Sequence, residues 1–149
     1  MRRLGDVPVV VRAGLTALVI AGTALVAARA VPAATLDCGS RSIGPGDLAR
    51  GTGPGPACLL RAFQEHCRPA SYRLSSFGVD TIGTDTFRTV RRAGRCQIEV
   101  AITFHVVPRP PRRTGSGYCR TLRRVGTDVV AGRCTGEGLP TSLSLTGRR

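Results

Sequence analysis

The sequence predicts an α+β domain in which one N-terminal helix packs on an antiparallel sheet of about four or five strands, stapled by disulfide bonds. Three observations support this fold class. Residues 57–67 have helical spacing, residues 95–107 alternate between apolar and polar side chains, and the short chain contains six cysteines. We therefore expect a small core between one helix and one sheet.

The helix is predicted over residues 57–67. Pro56 precedes the segment, where a proline is tolerated, and Leu60 and Phe63 recur at helical spacing on one side. Pro69 forces the helix to end before it. The apolar stripe of this helix requires a flat apolar surface to cover, which the predicted sheet supplies.

A hairpin forms the centre of the predicted sheet. Residues 95–107 have the period-two pattern of a strand that is buried on one face, and residues 84–92 can pair with them through a tight turn. A two-residue turn at Ala93-Gly94 pairs Phe87 with Val100, Thr89 with Ile98, and Arg88 with Glu99. In this register the first two pairs are buried and the third is exposed to solvent.

The other strands are less regular in sequence. Residues 71–81 are predicted to form a strand with a bulge near Ser75-Ser76, because their apolar residues change phase there. Residues 126–134 and 139–145 are two further short strands, and residues 118–125 fit either a helix or a strand. The proline-rich segment 108–113 is predicted to be an extended surface loop.

An even number of cysteines in a short exported chain predicts a disulfide framework, here Cys38, Cys58, Cys67, Cys96, Cys119 and Cys134. Cys58 cannot pair with Cys67, because nine helical steps separate them by about 13.5 Å on opposite faces. A C-terminal hairpin would bring Cys119 to Cys134, which is the pair we predict. Without a C-x-x-C pair or a His-x₃₋₅-His pair, neither a metal nor another cofactor is expected.

The N-terminus has the layout of a secretory signal peptide. Arginines precede the uncharged run 13–28, and the small residues of segment 30–34 follow it. The alternative is an uncleaved membrane anchor, although the run is shorter than the ~20 residues that a spanning helix needs. We therefore divide the chain into a signal peptide (1–34), a Gly/Pro-rich flexible arm (35–56) and one domain (57–149).

The chain is strongly basic, with a net charge of +13 and arginine as its only basic side chain apart from two histidines. The complete preference for arginine over lysine is typical of a GC-rich bacterial genome. A basic exported domain attracts polyanions such as anionic envelope polymers or a membrane surface. Nucleic acid is a poor fit, because the chain has few aromatic side chains on which bases would stack.

The sequence contains no recognisable catalytic motif. His66 and His105 are typical of solvated side chains, and Asp80 and Asp85 flank a predicted turn without other oxygen ligands. No serine lies in a nucleophile-elbow or S-x-x-K motif. An extracellular hydrolase therefore remains a third hypothesis without positive support from the sequence.

The leading hypothesis is a secreted or extracytoplasmic, monomeric, non-enzymatic domain that binds at the cell envelope, with no protein partner assigned. Its predicted binding residues are Arg88, Arg92, Arg109, Arg112 and Arg113. The second hypothesis is a secreted protease inhibitor that presents an arginine on the loop 108–113. Because Pro110 follows Arg109 and would resist cleavage, this hypothesis assigns the contact to Arg112 or Arg113.

Overall fold

The structure is a computed structural model that describes residues 34–44, 50–52 and 54–147 of the 149-residue chain. The predicted signal peptide, and its alternative as an anchor, lie outside the described residues apart from Ala34. In the part that is described, no helix combines the length and the apolar character needed to cross a bilayer.

The described chain is mostly β. One curled mixed sheet has the strand order β2-β1-β3-β4-β5-β6-β7-β8, and every neighbouring pair is antiparallel except β1 and β3. The elements are β1 (Leu36–Ile43), β2 (Arg50–Thr52), α1 (Pro56–Gln64), β3 (Ala70–Phe77), β4 (Thr81–Arg92), β5 (Arg95–Val106), β6 (Arg112–Val125), β7 (Asp128–Glu137) and β8 (Ser142–Ser144).

The predicted fold class, one helix on an antiparallel sheet of four or five strands, is wrong. Two strands, β1 and β2, lie in the segment that the sequence analysis assigns to a flexible Gly/Pro-rich arm. The segment 118–125, left open between helix and strand, belongs to the 14-residue strand β6. The helix spans nine residues beside a much larger sheet, so the α+β label does not describe the molecule.

The central hairpin has the predicted register. Phe87 faces Val100, Thr89 faces Ile98, and Arg88 faces Glu99 across β4 and β5. Ala93 and Gly94 form the turn with φ angles of 46° and 74°. The two-residue turn that matches the twist of paired strands requires positive φ at both central residues. Ala93 adopts this conformation although alanine disfavours it, because the pairing of the flanking strands determines the register.

Strand β3 is regular where a bulge was predicted. Its pairing with β4 runs without interruption from Ser71 opposite Arg88 to Phe77 opposite Ile82. Tyr72 is buried, whereas Phe77 is 42% exposed. The apolar residues of β3 change phase because Phe77 lies on the solvent-exposed face, and not because the backbone register shifts.

The core lies between α1 and one face of the sheet, called here the core face. Its largest fully buried side chains include Tyr72, Phe87, Ile98 and Val100 from the strands and Leu59 from α1. The helix begins at Pro56 and ends at Gln64, before His66 and Cys67, which both have positive φ. A nine-residue helix is marginal in isolation, so packing and covalent links must hold it in place.

Three disulfides provide those links. Cys38–Cys58 joins β1 to α1, Cys67–Cys96 joins the chain after α1 to β5, and Cys119–Cys134 crosses from β6 to β7. The third is the predicted pair, and its two residues face each other in the strand register. The helix is thus fixed to the sheet on both sides, as expected for a protein that folds in an oxidising environment.

The proline-rich connection is shorter than predicted. Arg112 and Arg113 lie in β6, opposite Phe104 and Thr103 of β5, because the β5–β6 ladder continues past the last proline. Only residues 107–111 connect the two strands. The loop that the inhibitor hypothesis assigns to these two arginines is therefore a hydrogen-bonded strand.

Candidate anion-binding groove

The face of the sheet opposite to the core, called here the polar face, carries the candidate site. Side chains alternate along each strand, so the neighbours of buried Tyr72, Phe87 and Val100 point to solvent. On β3 to β6 these neighbours are almost all polar: Ser71, Arg73, Thr86, Arg88, Glu99, Ala101, Ser116 and Tyr118.

The strand register places these side chains in rows across the sheet. One row runs through Asp37, Ser71, Arg88, Glu99, Tyr118 and Thr135, and the next runs through Ser40, Arg73, Thr86, Ala101, Ser116 and Glu137. Neighbouring strands lie about 4.8 Å apart, so successive members of a row are within reach of one small ligand. Each row combines positive, negative and hydroxyl groups.

Two concavities on the polar face share Thr86 and Arg88. The first measures about 320 Å³ and includes Arg73, and the second measures about 650 Å³ and includes Arg113 and Tyr118. The two concavities are adjacent, and we refer to them together as the polar groove. The small side chains of Ala101 and Ser116 lie between the larger ones and give the second concavity its depth.

An arginine stacks on the aromatic ring at one end of the groove. The guanidinium carbon of Arg92 lies 4.0 Å from the centroid of the Tyr118 ring. Such a cation–π contact is worth about 0.5–1 kcal/mol at an exposed position, and it restricts an otherwise mobile side chain. Tyr118 is in turn the strand neighbour of Glu99.

Among the described residues, three groove arginines form no ion pair, although Glu99 is the strand neighbour of Arg88. Within the described ranges of the chain, neither Arg73, Arg88 nor Arg113 forms an ion pair with a carboxylate. All three are exposed. A planar guanidinium of this kind binds a carboxylate or a phosphate group with two parallel hydrogen bonds.

Hydroxyl groups complete the chemistry of the groove. Thr86, Thr103, Ser116 and Thr135 line the second concavity, and Glu99 supplies an acceptor among them. A serine or threonine hydroxyl both donates and accepts hydrogen bonds, whereas a carboxylate only accepts. The arrangement therefore suits a ligand that carries both an anionic group and several hydroxyl groups.

The five predicted binding arginines divide into two sets. Arg88 and Arg113 line the groove, and Arg92 lies at its end through Tyr118. Arg109 lies in the connection after β5 and Arg112 begins β6, and neither lines the groove. The strand alternation explains the split, because Arg112 and Arg113 point to opposite faces.

The sequence analysis missed Arg73, Ser116 and Tyr118 as site residues. Arg73 alternates with Tyr72 and Leu74, a pattern that would have placed it on the polar face had the strand been treated as regular. Ser116 and Tyr118 alternate with Gly115, Gly117 and Cys119 in a segment without large apolar residues, so their strand gives a weak signal.

The candidate catalytic residues do not come together. Asp80 lies in the turn after β3, while Asp85 lies on the core side of β4, opposite Leu74 and Ile102. His105 lies opposite Ile82, and His66 follows α1, where its carbonyl accepts a hydrogen bond of 2.6 Å from Arg91. In the described segments, no three histidine, cysteine, aspartate or glutamate side chains are grouped so as to hold a metal ion.

A separate concavity of about 700 Å³ lies on the other side of the sheet, lined in part by Leu74, Val130 and Leu143. Its carboxylate Asp128 is engaged by the protein itself. Burial favours the protonated form, but hydrogen bonds from Ser144, Thr146 and the backbone outweigh it and hold the pKa of Asp128 below 3.8. We therefore assign this carboxylate a structural role.

No protein-family model, no curated protein and no solved structure matches this chain.

Proposed function

We propose that this chain is an exported binding domain that holds an acidic polysaccharide of the cell envelope in the polar groove. The observation that carries the proposal is that Arg88 and Arg113 line one hydroxyl-rich groove without a carboxylate partner. The disulfides and the N-terminal segment with the layout of a signal peptide support a location outside the cytoplasm. The net positive charge supports an anionic ligand.

The groove distinguishes this ligand from a simple polyanion. Arg88 and Arg113 bind acidic groups on different sugar units of the polymer, while Glu99, Ser116 and Thr103 exchange hydrogen bonds with its hydroxyl groups. A ligand with charge but no hydroxyls leaves Glu99 facing an anion, which is unfavourable. A neutral glycan leaves the arginines without a partner.

Three soluble polymers separate these contributions. Polygalacturonate carries carboxylates and hydroxyls, polyglutamate carries carboxylates alone, and dextran carries hydroxyls alone. We expect binding by titration calorimetry to be tightest for polygalacturonate, weaker for polyglutamate and undetectable for dextran. Because the contact is charged and exposed, the affinity must fall as salt is raised. Equal affinity for polygalacturonate and polyglutamate would remove the hydroxyl part of the proposal.

A charge-matched pair of variants tests the location. Arg88→Gln/Arg113→Gln removes two charges from the groove, and Arg123→Gln/Arg124→Gln removes two exposed charges farther along β6. A charge-assisted hydrogen bond contributes about 1.5–3 kcal/mol, so the groove variant is expected to bind polygalacturonate at least about tenfold more weakly. Equal losses in the two variants would show that only diffuse charge attracts the polymer, and would overturn the proposal.

A further inference from the structure

Exposed apolar side chains are concentrated at one end of the sheet. Among the described residues, six large hydrophobic side chains are exposed, and five of them are Phe77, Val79, Phe104, Val106 and Val107. The sixth, Val125, lies at the far end of β6. Val79 is 94% exposed. We call the five-residue group the apolar tip.

Two connections form the tip. Residues 78–80 join β3 to β4, and residues 107–111 join β5 to β6. The N–H of Val107 donates a hydrogen bond of 2.9 Å to the carbonyl of Asp80, and Gly78 and Thr81 close the first turn with a bond of 2.8 Å. The tip is therefore a single, internally hydrogen-bonded projection.

The apolar side chains surround the end of the sheet instead of extending one face. Phe77 pairs with Ile82 on the polar face, while Phe104 follows Ile98, Val100 and Ile102 along the core face. A rigid protein partner covers one flat patch, but a projection that is apolar on both sides is best buried in a fluid medium. The headgroup and acyl boundary of a bilayer is such a medium.

Two arginines lie at the level that lipid headgroups would occupy if the tip were inserted in a bilayer. Arg112 and Arg113 face Phe104 and Thr103, three to four residues before Val107 along β5. At about 3.3 Å per residue, these arginines lie roughly 10 Å from the end of the tip, which matches the 5–10 Å insertion of interfacial segments. Arginines at the surface of an anionic bilayer strengthen binding to it by electrostatic attraction.

Two charged residues in the turns limit the depth of insertion. Asp80 and Arg109 are exposed at the tip itself. A long arginine side chain can reach back to the headgroups, but a short carboxylate cannot, so Asp80 opposes contact with an anionic surface. Insertion is thus confined to the interface, and removal of the Asp80 charge must strengthen it.

We infer that the apolar tip inserts into the interface of an anionic lipid bilayer, with Arg112 and Arg113 at the level of the headgroups. Membrane insertion goes beyond polysaccharide binding, because the apolar tip and the polar groove are different surfaces that share only Arg113. A domain with both surfaces bridges a membrane and an acidic polymer next to it.

The chain has no tryptophan, so one introduced tryptophan reports the depth of the tip. Val79→Trp is expected to show a blue-shifted emission that brominated lipids quench, with vesicles of equal parts phosphatidylglycerol and phosphatidylcholine. Val125→Trp, at an exposed valine far from the tip, is the matched control and should show neither effect. Absence of both effects at position 79, or equal effects at both positions, would overturn the inference.

Vesicle co-sedimentation with charge variants provides the second readout. Val79→Glu should weaken partitioning at least about tenfold, because a buried valine contributes about 1.5 kcal/mol, whereas Val125→Glu should change it little. Asp80→Asn should strengthen partitioning. Equal binding to pure phosphatidylcholine vesicles would contradict the role of the arginines. A dimer without lipid that Val79→Glu disperses would identify a second copy of the chain as the occupant, and would overturn the lipid assignment.

The two proposals fail separately. Val79→Glu leaves Arg88 and Arg113 intact and should bind polygalacturonate as the unmodified chain does. Arg88→Gln is outside the tip and should leave vesicle partitioning unchanged. Weaker polygalacturonate binding by Arg88→Gln with unchanged vesicle partitioning therefore separates the two proposals, whereas Arg113 belongs to both surfaces and its variants do not separate them.

Discussion

Tyr72 connects the sheet to the C-terminal segment at the scale of a single residue. Its side chain is buried beside Phe87, and its hydroxyl donates a hydrogen bond of 3.2 Å to the carbonyl of Leu145. Burial disfavours the phenolate and raises the pKa of Tyr72 to about 12; the positive charge of Arg41 works against this shift, and the negative charge of Asp128 adds to it.

The raised pKa of Tyr72 predicts a loss of stability in base. Between pH 10 and 12 the folded chain keeps a proton that the unfolded chain has lost, so the free energy of unfolding falls with rising pH in this window. Chemical denaturation at several pH values should show this decline in the unmodified chain and a smaller one in Tyr72→Phe. The variant Tyr118→Phe leaves Tyr72 as the single tyrosine, and its absorbance at about 295 nm should titrate near pH 12. Titration near pH 10 would contradict the account.

Among the residues whose burial is described, Thr89 is the one buried polar side chain. Its hydroxyl accepts a hydrogen bond of 2.7 Å from the N–H of Ala70 and donates one to the carbonyl of Arg68. Arg68 lies in the connection between α1 and β3, and Ala70 is the first residue of β3. Replacement of Thr89 by valine keeps the shape of the side chain but removes the hydrogen-bond partner of the Ala70 N–H and of the Arg68 carbonyl.

We expect Thr89→Val to lower the free energy of unfolding by about 1–3 kcal/mol, the cost of leaving buried polar groups unsatisfied. Thr86→Val, on the other face of the same strand, is the matched control and should change stability by less than about 0.5 kcal/mol. Urea denaturation monitored by circular dichroism measures both. Equal effects would show that the loss reflects strand preference and not the buried hydrogen bonds.

At the scale of elements, the C-terminal strand β8 is held by one carboxylate. Asp128 accepts hydrogen bonds of 2.6 Å from both the N–H of Val129 and the hydroxyl of Thr146. Leu145 is fully buried and donates its N–H to the carbonyl of Val129. A three-residue strand has few hydrogen bonds of its own, so these contacts fix its position.

Replacement of Asp128 by alanine should release this strand. We expect a loss of about 1–3 kcal/mol in unfolding free energy at neutral pH, with faster amide exchange at Leu145. Because the pKa of Asp128 is lowered, its stabilising effect is complete above pH 3.8 and disappears as the pH falls through the folded-state value. Exposed Glu137→Ala serves as the control, and unchanged exchange at Leu145 in Asp128→Ala would contradict this role.

The elements also show how far the sequence predicts the fold. The β4–β5 hairpin is predictable because its alternation and its turn are local, and the Cys119–Cys134 pair follows from a hairpin as well. Strand β1 is not, because LDCGSRSI lacks alternation and the strand forms by parallel pairing with β3, about thirty residues away. The groove is only partly predictable. The sequence predicts the β4–β5 register that positions Arg88, but it does not predict the β5–β6 register that places Arg113 in the same groove.

At the scale of the whole molecule, the sheet ends in short strands on both sides. The edge strands β2 and β8 have three residues each, so few unpaired backbone groups are available for pairing with another chain. Of the two faces of the sheet, α1 packs against the core face, and the exposed side chains of Arg73, Arg88 and Arg113 lie on the polar face.

The net charge of +13 would by itself attract any polyanion, so the central claim is that one face is selective. Amide chemical-shift mapping during titration with polygalacturonate tests it most directly. We predict that the shifts are confined to the polar face, at Arg73, Thr86, Arg88, Ala101, Ser116 and Tyr118, with little change at the β6–β7 turn. Shifts spread evenly over all exposed arginines, or centred on Arg123 and Arg124, would contradict the account.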